Sequence, residues 1–274
     1  MSWSEYSEIS REEWANILDG SQPPSEKTVS EFLSRNPSFV PGARSLNLPS
    51  GHAPVHGALF VEPSLSGTFL RRPDFMWISN DSLTVDVVLI EIEEPGKRMF
   101  NGRGEISSKF TQGFNQLKQW ESWFSKPSNQ QVFSDTWLPT RYQNRVLRQS
   151  YVYIFGRRAE YENDDYRRNL RATWASQGIE LISFDRLAPD QNCQDYITVR
   201  GSVYNNRALH VPPTLRLGPF TSRLHKDVSG VADAAKKCSY MTPQRRAFVL
   251  ERLEYWTAWA KQEQVGLIGY GDFE

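Results

Sequence analysis

Between Leu83 and Ile92 the chain reads Leu-Thr-Val-Asp-Val-Val-Leu-Ile-Glu-Ile, and no other run constrains the fold as much. Side chains alternate across a strand, so Leu83, Val85, Val87, Leu89, Glu91 and Glu93 share one face and Thr84, Asp86, Val88, Ile90 and Ile92 the other. Both faces are largely apolar, as expected of a central strand covered on both sides. Pro95-Gly96 ends it. Phe75-Met76-Trp77-Ile78 reads as a strand before it, and Ser79-Asn80-Asp81-Ser82 as the turn between the two.

Helices and strands alternate around this hairpin. Ser10-Arg11-Glu12-Glu13 before Trp14 predicts a capping box and a short helix that stops at Gly20. A second helix begins at Ser25, buries Val29, Phe32 and Leu33, and ends before Pro37. From Ser38 to Ser66 the Pro, Gly and Ser content predicts loops and short edge strands. Ile106, Phe110, Phe114, Leu117, Trp120 and Phe124 recur at spacings of a helix from about Glu105 to Phe124. Tyr151–Phe155 is a strand ended by Gly156. Tyr166, Leu170 and Trp174 mark a helix closed by Gly178, and Ile179–Phe184 is a further strand. The pattern weakens after Asp190, until a last helix starts at Thr242 and runs through Leu250, Leu253 and Trp256. The expectation is an α/β protein: a helical extension over 1–24, a domain over 25–190, and a C-terminal extension over 191–274 packed on it and ending in a helix.

Composition narrows the function classes. Lys plus Arg (32) equals Asp plus Glu (32), so binding to nucleic acid has to rely on a local patch, not on overall charge. No apolar run approaches the ~20 residues of a membrane span. The N-terminus has neither the basic nor the apolar region of a signal peptide. Cys193 and Cys238 show no C-x-x-C spacing. A soluble cytoplasmic protein is expected. His52 and His56 are flanked by Gly51, Pro54 and Gly57, which disfavours a helical metal pair. There is no G-x-S-x-G elbow and no phosphate-binding P-loop.

The candidate chemistry is Pro73-Asp74 followed by Ile90-Glu91-Ile92-Glu93. Glu91 and Glu93 project from one strand face, and the hairpin brings Asp74 alongside. Carboxylates this close repel one another unless a cation compensates them, and oxygen ligands with few histidines select a hard ion such as Mg²⁺ or Mn²⁺. A turn aspartate and solvent-facing glutamates would produce the same letters. A glycosidase acid–base pair lacks any sugar-binding context here.

These residues are similar to the PD-(D/E)XK nuclease core in its E-x-E variant. With their surroundings they resemble the nuclease domain of the Shedu anti-phage defence family. The resemblance rests on Phe32-Leu33 to Asn36-Pro37, Glu91 to Pro95 with Phe100, Gln116 to Trp120, Ile154-Phe155-Gly156-Arg157-Arg158, and Ser183-Phe184-Asp185-Arg186-Leu187. It implies a restriction-endonuclease-like core, a mixed central β-sheet flanked by helices with additional N- and C-terminal helices.

It further implies that Asp74 and Glu91 hold Mg²⁺ or Mn²⁺. Glu93 takes the place of the usual lysine, as a base or as a further ligand, and Gln116 orients the site. Lys97 or Lys109 could stand in for that lysine, and Glu26 or Glu31 could add a carboxylate. Lys97, Arg98, Arg103, Arg157 and Arg158 would bind DNA phosphates. Arg167 and Arg168 read instead as a solvated face paired with Glu160, Glu162, Asp164 and Asp165. The implied activity is a metal-dependent DNA endonuclease of a homo-oligomer, with the aromatic last helix as an interface. Glu93 in the lysine position and the zero net charge keep open a silent nucleic-acid-binding or sensor module on the same fold.

Overall fold

The central strand that the alternation predicts is Thr84–Ile92 (β3), and it lies inside one mixed sheet. The computed structural model describes residues 1–44, 46, 52–65, 72–175, 178–202, 204–262 and 273–274. The other strands are β1 (Ala58–Val61), β2 (Phe75–Asn80), β4 (Val146–Ile154), β5 (Ile179–Ile182), β6 (Ile197–Ser202), β7 (Asn205–His210) and β8 (Val228–Ser229). Their order is β5-β4-β3-β2-β1-β6-β7-β8. Around them lie α1 (Trp3–Leu18), α2 (Glu26–Arg35), α3 (Ser108–Phe124), α4 (Pro127–Trp137), α5 (Asp165–Ala175), α6 (Pro219–His225), α7 (Val231–Lys237) and α8 (Pro243–Lys261). A mixed sheet covered by helices is the architecture the resemblance implies, and it is consistent with a restriction-endonuclease-like core.

The two faces of β3 enter two separate apolar clusters. Val85, Val87 and Leu89 pack with Phe110, Phe114, Leu117 and Trp120 of α3. Val88, Ile90 and Ile92 pack with Trp14 of α1 and Val29, Phe32 and Leu33 of α2. β3, β4 and β5 run parallel, linked by α3–α4 and then α5, whereas β2 pairs antiparallel with β3 through a tight turn. The C-terminal ends of β3 and β4 therefore lie side by side at one end of the sheet.

Several elements depart from the sequence reading. The first helix starts at Trp3, capped by a reciprocal Ser2–Glu5 box. Ser10 is internal to it, with its hydroxyl donating to Tyr6 O. β1 is a buried inner strand between β2 and β6, not an edge. The residues after Asp190 do more than append a helix, because β6 continues the sheet beside β1 and β7 follows it. Arg157, expected at DNA phosphates, is committed inside the fold. Its guanidinium donates to Leu18 O at 2.7 Å, to Asp19 at 2.8 Å and to Asp185 at 2.8 Å, tying α1 to the end of β5. Arg157→Ala should lower stability by about 2 kcal/mol, since it strands a half-buried carboxylate and a carbonyl. A shift of the urea midpoint with an unchanged slope measures this.

Candidate acidic site at the sheet end

Asp74 immediately precedes β2, whose first residue, Phe75, pairs with Ile90. This register sets Asp74 opposite Glu91 on the face that α3 covers. The Asp74 carboxylate then takes over where β2 ends: its Oδ2 accepts the Ile92 N–H at 2.8 Å. Glu91 is 8 % exposed. Its Oε1 accepts from Gln116 Nε2 of α3 at 2.7 Å, and among the described residues no other donor reaches its buried Oε2. The carboxyl's remaining partner is Asp74, to which Glu91 hydrogen-bonds when it holds a proton. Gln116 thus faces the carboxylates and not solvent.

Electrostatics make the pair costly. Burial is the main reason the Glu91 pKa rises far above the ordinary carboxylate range, and Asp74, Glu93 and Glu26 push it further. Burial likewise raises Asp74; the Ile92 N–H and a hydrogen bond from Glu91 oppose this, while Glu26 and Glu93 reinforce it. The two titrate as a pair in which Glu91 holds its proton the longer. Glu26, in the first turn of α2, is therefore a further carboxylate within electrostatic reach, as the sequence left open.

Glu93 continues the same face but is bonded to Lys97 Nζ. Partial burial lowers the Lys97 pKa. The bond to Glu93, with Glu94 and Glu26 nearby, outweighs that and holds the group above its ordinary value. Lys109 is exposed at the start of α3, so of the two lysines it is Lys97 that stands at the carboxylates. Arg98 and Arg103 are exposed on the loop just beyond, and Arg158 is exposed beside Asp185. Arg167 and Arg168 pair with Asp164 and Asp165, the solvated helix face that the sequence predicts. Glu160 takes no part in that pairing through its carboxylate, which binds backbone amides instead.

Among the described residues, no three His, Cys, Asp or Glu side chains are gathered so as to hold a metal ion. Mg²⁺ does not require three: it keeps several waters and is commonly held by one or two carboxylates plus substrate phosphates. Glu91 and Asp74 fit that demand: their carboxyls meet with a shared hydrogen bond that an ion would replace, and both groups are hard oxygen donors. A cleft of about 420 Å³ opens beside Asp74, lined by Glu26, Lys27, Glu62, Arg200 and His210 among others. A larger cavity, about 810 Å³ between α6, α7 and α8, shares none of the candidate residues.

Sequence reasoning missed Tyr153, the β4 partner of Glu91 in the parallel ladder. Burial, with Glu93 and Glu91 adding to it, drives its phenol pKa far up. Nothing in its local sequence signals this, because the register of β4 on β3 is a tertiary fact.

The fold and site define an α/β protein with a mixed central sheet and, at the ends of its central strands, a buried glutamate paired with an aspartate at the edge of a cleft. The family model described as Shedu protein SduA, C-terminal, matches residues 24–188. The chain belongs to the Shedu family. A comparison with curated proteins finds no match. Among the described residues, no helix is long and apolar enough to cross a membrane.

Proposed function

We propose that the protein is a divalent-metal-dependent DNA endonuclease of a Shedu-type anti-phage defence system, built on a PD-(D/E)XK site of the E-x-E variant. The observation that carries this reading is the buried carboxyl of Glu91, set against the Asp74 carboxyl so closely that the two share a hydrogen bond, with no cationic side chain or other donor among the described residues on its Oε2. A fold does not keep such an arrangement for stability, since a hydrocarbon or amide there would cost less.

When bound, Mg²⁺ or Mn²⁺ would supply a Lewis acid for the phosphoryl oxygen and lower the pKa of an attacking water. Asp74 and Glu91 would be its protein ligands. Gln116 holds Glu91 Oε1, which fixes the carboxylate plane and leaves Oε2 for the ion. Glu93 accepts a proton or assists the water. Lys97, paired to Glu93, restores the positive charge that the motif lysine normally provides. Arg98 and Arg103 would meet the flanking phosphates.

The test is plasmid DNA incubated with the full chain and Mg²⁺ or Mn²⁺. Asp74→Ala should reduce cleavage by about 10³-fold or more, and Lys97→Ala by about 10- to 100-fold. Intact DNA with folded wild-type protein in both metals would overturn the proposal. The alternative, a silent nucleic-acid-binding or sensor module, is favoured by Glu93 in the lysine position and by the zero net charge. DNA binding in a gel shift, without hydrolysis and unaffected by Glu91→Ala, is its signature.

A further inference from the structure

Beyond β3 the chain leaves the sheet at Pro95-Gly96 and runs as an irregular loop to α3. This loop carries Lys97, Arg98 and Arg103. Its base is buried, with Met99 at 0 % and Phe100 at 2 % exposure, while its tip around Asn101–Arg103 is exposed. Buried backbone amides need partners, and neither Met99 nor Phe100 donates to a strand. Both donate to one side chain: Glu160 Oε2 accepts Met99 N at 2.9 Å and Oε1 accepts Phe100 N at 2.8 Å.

We infer that Glu160 is a positioning residue of the acidic site, clamping this loop so that Lys97 reaches Glu93; the inference rests on the hydrolytic reading above. The clamp is built from residues that follow β4. Gly156 turns the chain at φ +71°, a conformation that side chains with a Cβ rarely adopt. A Cβ there would lie 3.4 Å from Glu160 Oε2 and 3.8 Å from Lys97 O, so the turn seats both the clamp and the lysine. Two arginines of α5 reinforce the clamp. Arg167 donates to Glu160 O at 3.0 Å and lies 5.4 Å from the Phe100 ring centroid. Arg171 reaches Met99 Sδ at 3.6 Å. Lys97 is only two residues upstream of the clamped amides, so its ammonium position follows from theirs. A loop without this anchor would leave Glu93 uncompensated beside Asp74 and Glu91.

The experiment compares wild type with Glu160→Gln and Glu160→Ala in the full chain. Glu160→Gln keeps the shape but turns one acceptor into an N–H donor facing an amide. Hydrogen exchange at Met99 and Phe100 should speed up about tenfold while β3 and β4 stay protected. Lys97, read by acetic anhydride labelling and mass spectrometry, should acetylate several-fold faster. With Mg²⁺ and plasmid DNA, kcat should fall about tenfold with KM within twofold, because Glu160 touches no substrate. Wild-type rates of Lys97 acetylation in Glu160→Gln overturn the clamp, whatever happens to the DNA. The exchange and labelling results stand on their own, so a wild-type protein that cleaves no DNA refutes the hydrolytic reading and leaves the clamp to be judged by them.

Discussion

Glu91→Gln will make the metal-free protein more stable and at the same time remove metal-dependent cleavage. The Glu91 and Asp74 carboxyls have raised pKa values in the fold, both chiefly through burial; Asp74 then pushes Glu91 up further, whereas the hydrogen bond from Glu91 works to lower Asp74 and leaves Glu91 the more strongly raised of the two. A carboxyl whose pKa rises on folding binds its proton more tightly in the native than in the unfolded chain. Stability is then greatest below the ordinary carboxylate pKa and falls as pH climbs through neutrality, by up to about 1.4 kcal/mol per pH unit for each proton. Glutamine is isosteric and uncharged, and its Oε1 can still accept from Gln116. Glu91→Gln should therefore gain about 2 kcal/mol near pH 8 and flatten the pH dependence. Millimolar Mg²⁺ should do the same to the wild type and leave the variant unmoved. Thermal melts between about pH 5 and pH 8, with and without Mg²⁺, measure both effects. A variant less stable than wild type at the upper end would mean that Glu91 is not held against its own charge.

How much of this was legible in the sequence follows from where the information lies. The two apolar faces of β3 named a covered central strand, and the same alternation put Glu91 and Glu93 on one face. The meeting of Asp74 with Glu91 also needed the hairpin register, which the tight turn at Asp81–Leu83 sets and the letters alone do not. Two capping boxes, Ser2 with Glu5 and Ser10 with Glu13, are locally equivalent. Tyr6 decides between them: it is buried, its hydroxyl bonds Asn36 at 2.9 Å, and the helix extends back to carry it. β7 was invisible because Asn205–His210 is mostly polar, and it becomes a strand by pairing with β6 on one side and β8 on the other. Arginines read as a phosphate patch divide in the structure. Arg157 serves the fold, and so does Asp185, whose second oxygen accepts the Arg158 N–H at 2.6 Å. Two of the residues that carried the family resemblance are thus explained by architecture and not by chemistry.

Gly113→Ala should destabilise the protein by about 2 kcal/mol, although helix propensity alone predicts a gain of about 1 kcal/mol. Gly113 lies inside α3, where alanine is ordinarily the better residue. A Cβ there would sit 2.2 Å from the Tyr153 hydroxyl oxygen and 2.7 Å from its Cζ, well inside contact distance. Tyr153 cannot step aside: it is fully buried between Phe110 and Phe155, with ring centroids 5.4 and 5.2 Å away. The helix must move instead. Gln116 is one turn further along the same face, and displacing α3 withdraws its amide from Glu91, leaving the buried carboxyl with Asp74 alone as its partner. Cleavage should therefore fall more than about tenfold, together with the urea midpoint. Tyr153→Phe on the Gly113→Ala background should recover part of both losses, because removing the hydroxyl relieves the closest approach. Recovery stays incomplete, since Cζ remains at 2.7 Å from the new methyl group. A Gly113→Ala protein as stable as wild type would show that α3 is free to settle elsewhere on the sheet, and that its depth does not set the reach of Gln116.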